Sequence, residues 1–179
     1  FSKLSYYILN RAYVNAKVYN TVLEAYKTCE ATCPNVYFRV MECSRRHGGK
    51  IVPHRTHQNG LSVDFMIPLK KGGKQYGLYD KMGEWHYLLN ADENGNVTKS
   101  VEIDFETLAK HILALDDAAR KNGLMVKKVI LKINLKDDLF KTESGKKLKQ
   151  RGIYFVMNLS KTIDNLHDDH YHVDFEEIK

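Results

Sequence analysis

Apolar and polar residues alternate along this chain with two different periods, and the switches between them outline a mixed α and β architecture. From Asn15 to Cys29 the residues Val18, Val22, Tyr26 and Cys29 recur at steps of three and four, which predicts an amphipathic helix ending before Pro34. Asp104 to Asn122 repeats the signal more strongly. Leu108, Ile112, Leu115 and Ala119 form its stripe, Asp104 is placed to cap it and Gly123 to end it, with His111 at the stripe's boundary. A period of two predicts strands at Asn35–Cys43, Leu61–Leu69, Val97–Ile103, Val126–Leu135 and His170–Phe175. Phe1–Asn10 reads as an edge strand or packed arm, Leu139–Gln150 as a polar helix or pair of turns, and Ile153–Leu159 as a short apolar segment. The aromatic stretch Gln75–Leu89, with Tyr76, Tyr79, Trp85 and Tyr87, reads as a hairpin or loop over a groove, or as a peripheral core patch. The sum is a small α+β domain over residues 1–179, a central antiparallel sheet flanked by helices.

Composition narrows the class. The apolar share of 43% supports a packed core, and the absence of a long apolar run excludes a spanning helix. The net charge of +6 favours anionic partners, among them nucleic acid, a membrane surface or a cell-wall polymer. No recognition-helix, finger or oligonucleotide-barrel signature accompanies the lysine runs at 127–128 and 146–149, so nucleic acid is not the expected partner. Cys29, Cys33 and Cys43 allow at most one internal disulfide, with Cys43 the favoured member. The chain begins at Phe1 without a methionine, as a processed export precursor or a trimmed sequence would.

Five of the eight histidines fall in two short blocks. The first is Pro53-His54-Arg55-Thr56-His57-Gln58-Asn59-Gly60-Leu61-Ser62-Val63-Asp64-Phe65; the second is His167-Asp168-Asp169-His170-Tyr171-His172-Val173-Asp174-Phe175. Each runs into a β-prone segment. On a strand, His170, His172 and Asp174 share one face while Tyr171, Val173 and Phe175 share the other, and Asp64 lies opposite Val63 and Phe65. A turn at Gly60 would fold His57 back over Asp64. Imidazole nitrogen and carboxylate oxygen suit zinc, and three such donors with an open fourth position make a catalytic site, so His57, Asp64 and His172 are the expected ligands. Asp168 and Asp169 read as solvated turn residues or as partners orienting a histidine, Asp174 as a candidate for the same orienting role, and His54 as a cleft residue or a contact behind the ligands rather than a ligand. Arg45 and Arg55 are placed either on the plain surface or against a substrate carboxylate.

His57 followed after six residues by Asp64, with a late His170-x-His172, resembles the ligand pattern of the metallopeptidases that unite lysostaphin-type endopeptidases, D-Ala-D-Ala peptidases and hedgehog zinc domains. The extended blocks, His54-x-x-His57-Gln58-x-Gly60-Leu61-x-Val63-Asp64 and His167-Asp168-Asp169-His170-aromatic-His172-Val173, are similar to the penicillin-insensitive murein endopeptidase branch. That resemblance covers about twenty residues firmly and the rest loosely. It implies a hedgehog/D-Ala-D-Ala-peptidase-like fold, a periplasmic or secreted location, and cleavage of peptidoglycan stem peptides by a zinc-activated water. It also implies His170 as the base, with His167 donating to the oxyanion or sharing the proton transfer. The third cysteine and the short tail beyond Phe175 depart from the pattern. The alternatives are a D-Ala-D-Ala dipeptidase or carboxypeptidase, or a zinc-containing module that binds cell wall without cutting it.

Overall fold

In the computed structural model, which describes residues 3–52, 54–81, 86 and 88–178, the chain opens with a π-helical turn at Leu4–Ile8 rather than an edge strand. Helix α1 (Ala16–Thr32) and strand β1 (Val40–Glu42) follow. Next come β2 (Ser62–Met66), β3 (Leu69–Lys71), β4 (Lys74–Gln75), the short helix α2 (Leu78–Lys81), β5 (Asn96–Thr98) and β6 (Val101–Ile103). Helix α3 (Phe105–Lys121), β7 (Leu124–Ile130), α4 (Lys136–Lys141), α5 (Glu143–Gln150), α6 (Lys161–Asn165) and β8 (His170–Glu177) complete the order. Trp85 and Tyr87, central to the aromatic stretch expected over a groove, lie outside the described residues.

The strands make two four-stranded antiparallel sheets, not one, in the orders β1-β2-β8-β7 and β4-β3-β6-β5. The division falls inside the single strand expected over Leu61–Leu69. Pro68 has no N–H to give to a ladder. The chain leaves the first sheet after Met66, Asp104 N donates to the Pro68 carbonyl at 2.8 Å, and Leu69 starts pairing afresh with Ile103. The strand expected over Val97–Ile103 is likewise a hairpin, β5 against β6. The one expected over Val126–Leu135 stops at Ile130, and Ile133–Leu135 form a 3₁₀ turn instead. Of Asn35–Cys43 only Val40–Glu42 pairs as strand.

Both long helices pack their apolar stripes on one face of the first sheet. Val18, Val22, Ala25 and Cys29 of α1 join Leu108, Ile112, Leu115 and Ala119 of α3 in a core with Val63, Phe65, Tyr171, Val173 and Phe175. Each such aliphatic side chain contributes about 1.5–3 kcal/mol on burial. The helices are capped as their sequences require. Asn15 Oδ1 accepts from Lys17 N at 2.9 Å, and Asp104 Oδ1 from Thr107 N at 3.1 Å. His111 is no boundary residue. It is fully buried, its ring stacks on Phe38 at 4.2 Å, and its Nδ1 pairs with the Tyr171 hydroxyl. All three cysteines are buried free thiols. No helix among the described residues is long and apolar enough to cross a membrane.

Candidate metal centre

Strand register gathers the polar groups. β2 and β8 run antiparallel with Ser62 opposite Asp174, Asp64 opposite His172 and Met66 opposite His170. Directly opposed residues of such a pair project to the same side. With a period of two, one side therefore takes Val63, Phe65, Tyr171 and Val173 into the core, and the other takes Ser62, Asp64, His172 and Asp174. Neighbouring strands extend the polar side. Glu42 of β1 lies opposite Asp64, and Lys128 of β7 lies opposite Asp174 with its Nζ 3.1 Å from Asp174 Oδ2. A one-residue slip would exchange the two sets, so the core that buries Phe65 and Tyr171 also fixes where the histidines stand.

His57 arrives from the loop before β2. Gly60 turns that loop at φ +79°, and a Cβ there would lie 2.5 Å from Asn15 N. The Gly60 carbonyl accepts from Asn15 N at 3.0 Å, and its own N–H donates to Ser44 Oγ at 2.9 Å. The start of α1 and residue 44 thus clamp the turn that folds His57 over β2. His57 Nε2 lies 3.2 Å from Asp64 Oδ1 and 3.0 Å from His172 Nδ1, while His172 Nδ1 lies 2.7 Å from Asp64 Oδ1. Three donor atoms from residues 57, 64 and 172 meet in one buried triangle. Bonds of about 2.0–2.1 Å at tetrahedral angles would set such donors about 3.3 Å apart, so this triangle need only widen slightly to become zinc-sized.

The partners of the triangle define its chemistry. His172 Nε2 donates to Asp174 Oδ1 at 2.7 Å, and Asp174 is held by Ser62 Oγ at 2.5 Å. That bond leaves Nδ1 of His172 facing Asp64 and His57, the carboxylate–imidazole arrangement that orients metal-binding histidines. Burial alone would discharge His172, yet Asp64 and the hydrogen bond to Asp174 outweigh it and lift its pKa to about 9. Burial would also raise Asp64, but His57 and His172 hold its carboxyl well below the usual range. Nδ1 of His57 has no hydrogen-bond partner among the described residues.

His54 is closer to this centre than its sequence suggested. One ligand atom each from His54, His57 and Asp64 lies within 4.8 Å of the others, a cluster with the capacity to bind a divalent metal. His54 Nε2 is meanwhile paired with Glu42 Oε2 at 2.9 Å, and Glu42 Oε1 takes Arg11 at 3.3 Å. Nothing in the local pattern around Glu42 or Arg11 marks them, because Glu42 is placed by the pairing of β1 with β2 and Arg11 by the bond from Cys43 N to its carbonyl at 2.8 Å.

His170 and His167 stand beside the triangle. The rings of His167 and His170 are 4.8 Å apart, and those of His167 and His172 are 6.4 Å apart. His170 Nδ1 donates to Asp169 Oδ1 at 2.5 Å. Burial works against its charge, but the Asp169 hydrogen bond and the charge on Asp64 overcome that and raise its pKa. His167 differs. Its Nδ1 donates to the Ile163 carbonyl at 2.7 Å, and burial with the nearby His170 lowers its pKa to about 4. Lys132 Nζ holds Asp168 at 3.1 Å, and Ile133 N donates to Asp164 Oδ1 at 2.8 Å, so the turn carrying His167 is tied to the segment after β7. His86, which sequence reading passed over, donates Nε2–H to the Asp169 carbonyl at 2.5 Å from beyond α2. The signal that would have found it, proximity to residue 169, exists only in the fold. Asp168 and Asp169 are both buried, so neither is a solvated turn residue.

Comparison with models of known protein families and with curated proteins finds no match for this chain.

Proposed function

We propose that this chain is a zinc-dependent endopeptidase that hydrolyses peptide cross-links of bacterial peptidoglycan outside the cytoplasm, with His57, Asp64 and His172 as the metal ligands. The observation that carries the reading is the buried triangle of Nε2, Oδ1 and Nδ1 at 2.7–3.2 Å spacing, which joins the neighbouring His57 and Asp64 to the distant His172. The donor set of two imidazoles and one carboxylate suits zinc in its catalytic form. The substrate class rests on the likeness of both histidine blocks to the murein endopeptidase branch.

Zinc bound there would supply Lewis acidity for a scissile carbonyl and would acidify a water molecule. His170 is the base. Asp169 anchors its Nδ1–H, which leaves Nε2 to take and return the proton, and the raised pKa makes that ring the stronger proton acceptor. His167 is suited to proton sharing rather than to oxyanion donation. Its one proton is committed to the Ile163 carbonyl, so its Nε2 is an acceptor. Asp174 and Ser62 fix the tautomer of His172.

Digestion of purified cross-linked muropeptides tests this. Turnover is expected from the zinc-loaded chain, and His170→Ala should lower it about 10²–10⁴-fold while zinc stays bound. Zinc bound with no cleavage of any muropeptide would refute it. Masses of the products separate an endopeptidase from a D-Ala-D-Ala dipeptidase or carboxypeptidase. A second reading has its own observation. His54 sits within reach of His57 and Asp64, and a fourth protein donor would make the centre a structural site in a cell-wall-binding module. That reading expects His54→Ala to weaken zinc as much as His57→Ala does.

A further inference from the structure

An open cleft of about 380 Å³ adjoins the loop that carries His57, lined on one side by Gln58, Asn59 and Gly60 and on another by Arg45, Arg46 and His47. Its volume falls at the lower end of the range typical of small-ligand sites, roughly 300–1,000 Å³. The two walls are joined by backbone. Gly49 N donates to the Gln58 carbonyl at 2.9 Å, and Gly48, at φ +68°, could carry no Cβ without placing it 2.5 Å from that same oxygen. The loop of residues 44–50 therefore lies as close to the His57 loop as backbone allows.

The charge in this region is one-sided. Residues 43–63 contain Arg45, Arg46, Lys50 and Arg55 and no aspartate or glutamate. The acid just before them, Glu42, is occupied by Arg11 and His54. Among the described residues neither Arg45 nor Arg46 makes an ion pair, although Arg11, Arg120 and Arg151 all do. Both are exposed at the cleft. Unpaired guanidinium groups have a planar fork that matches a carboxylate in two parallel hydrogen bonds. Tyr13 and Val14, also in the lining, add an apolar wall suited to the carbon skeleton of a peptide.

We infer that this cleft is a subsite for a free carboxylate on the peptide substrate, gripped by Arg45 and Arg46. The identity of the ligand rests on the peptidase reading; the preference for an anion does not. Electrostatic grip of this kind discriminates between ligands that carry the charge and those that lack it. The loop therefore selects stem peptides whose carboxylates are free over those in which they are amidated.

The test is a binding titration of the full zinc-loaded chain with a monomeric stem tetrapeptide, which has no cross-link to cut, and with its fully amidated counterpart. The free-carboxylate peptide should bind about 10-fold more tightly. The double substitution Arg45→Gln/Arg46→Gln should erase that preference and leave the affinity for the amidated peptide unchanged, which also shows that the variant is folded. Equal binding of the two peptides by the unaltered chain, or a preference that survives the double substitution, overturns the proposal. Inorganic phosphate that displaces the peptide at least about 10-fold better than acetate reassigns the cleft to phosphate and overturns it too. Muropeptide digestion on the same samples keeps the two readings apart. An arginine-dependent preference without turnover leaves the subsite standing and removes the endopeptidase. Turnover without the preference does the opposite.

Discussion

The two sides of strand β8 each bury an imidazole, and the two imidazoles are driven in opposite directions. On the core side His111 meets the Tyr171 hydroxyl among Phe38, Phe65 and Tyr26, with no carboxylate among the described residues in contact, and burial alone lowers its pKa to about 3. On the polar side His172 is as thoroughly buried, yet Asp64 and Asp174 bracket its ring at 2.7 Å each and its pKa rises to about 9. The same residue type becomes a neutral core group or a cation according to what faces it across one strand. A centre that holds two carboxylates around an imidazolium is one in which a metal cation can replace the proton, because ligands must shed protons to bind. The core side offers no such exchange.

The comparison breaks most sharply on the core side. Phe65→Ala should cost about 3–5 kcal/mol of stability in denaturant unfolding, since Phe65 is fully buried and stacks on Tyr171 at 5.4 Å. If register is what positions the histidines, the fraction that remains folded should still bind zinc.

pH sharpens the polar side. In the metal-free chain His172 has a folded-state pKa above its unfolded value, so its stabilisation is complete below about pH 6.5 and is lost as pH rises through about 9. The loss should be on the order of 3 kcal/mol in chemical denaturation across that window, and absent from the zinc-loaded chain. Asp64 and Asp174, whose pKa values are depressed, have the opposite sign. Their contribution is present above the ordinary carboxylate range and disappears as pH falls well below it.

Asp174→Asn leaves the ligands in place but removes the charge behind His172, and zinc affinity in a chelator competition should fall about 10–100-fold. The smallest effect belongs to Tyr171→Phe. Losing the partner of His111 Nδ1 should cost about 1 kcal/mol and leave zinc affinity unaltered.

The parts of this molecule that its sequence made legible are those fixed by short-range periodicity. Alternation in His170–Phe175 assigned each side chain to its face, and the stripe and cap of α3 were readable from Asp104 onward. The resulting meeting of His57, Asp64 and His172 followed from two strands laid side by side. What escaped was set by pairing at a distance. Pro68 divided one apparent strand between two sheets, which required β6 as a partner. His111 looked like a boundary residue because its solvation depends on Phe38 and Tyr171, neither of them near it in the chain. Glu42 gained its link to His54 from strand pairing, and His86 meets the carbonyl of Asp169, 83 positions further along the chain. Where a side chain's neighbours come from other elements, periodicity carries no information about them.

Calorimetric zinc titration at neutral pH, in buffers of different ionisation enthalpy, probes the triangle most directly. The account predicts one zinc per chain with net proton release. It also predicts a loss of affinity on the order of 10³-fold in each of His57→Ala, Asp64→Asn and His172→Ala, with a much smaller change in His54→Ala. Tight zinc binding that withstands His172→Ala, or that depends on His54 as strongly as on His57, would contradict it.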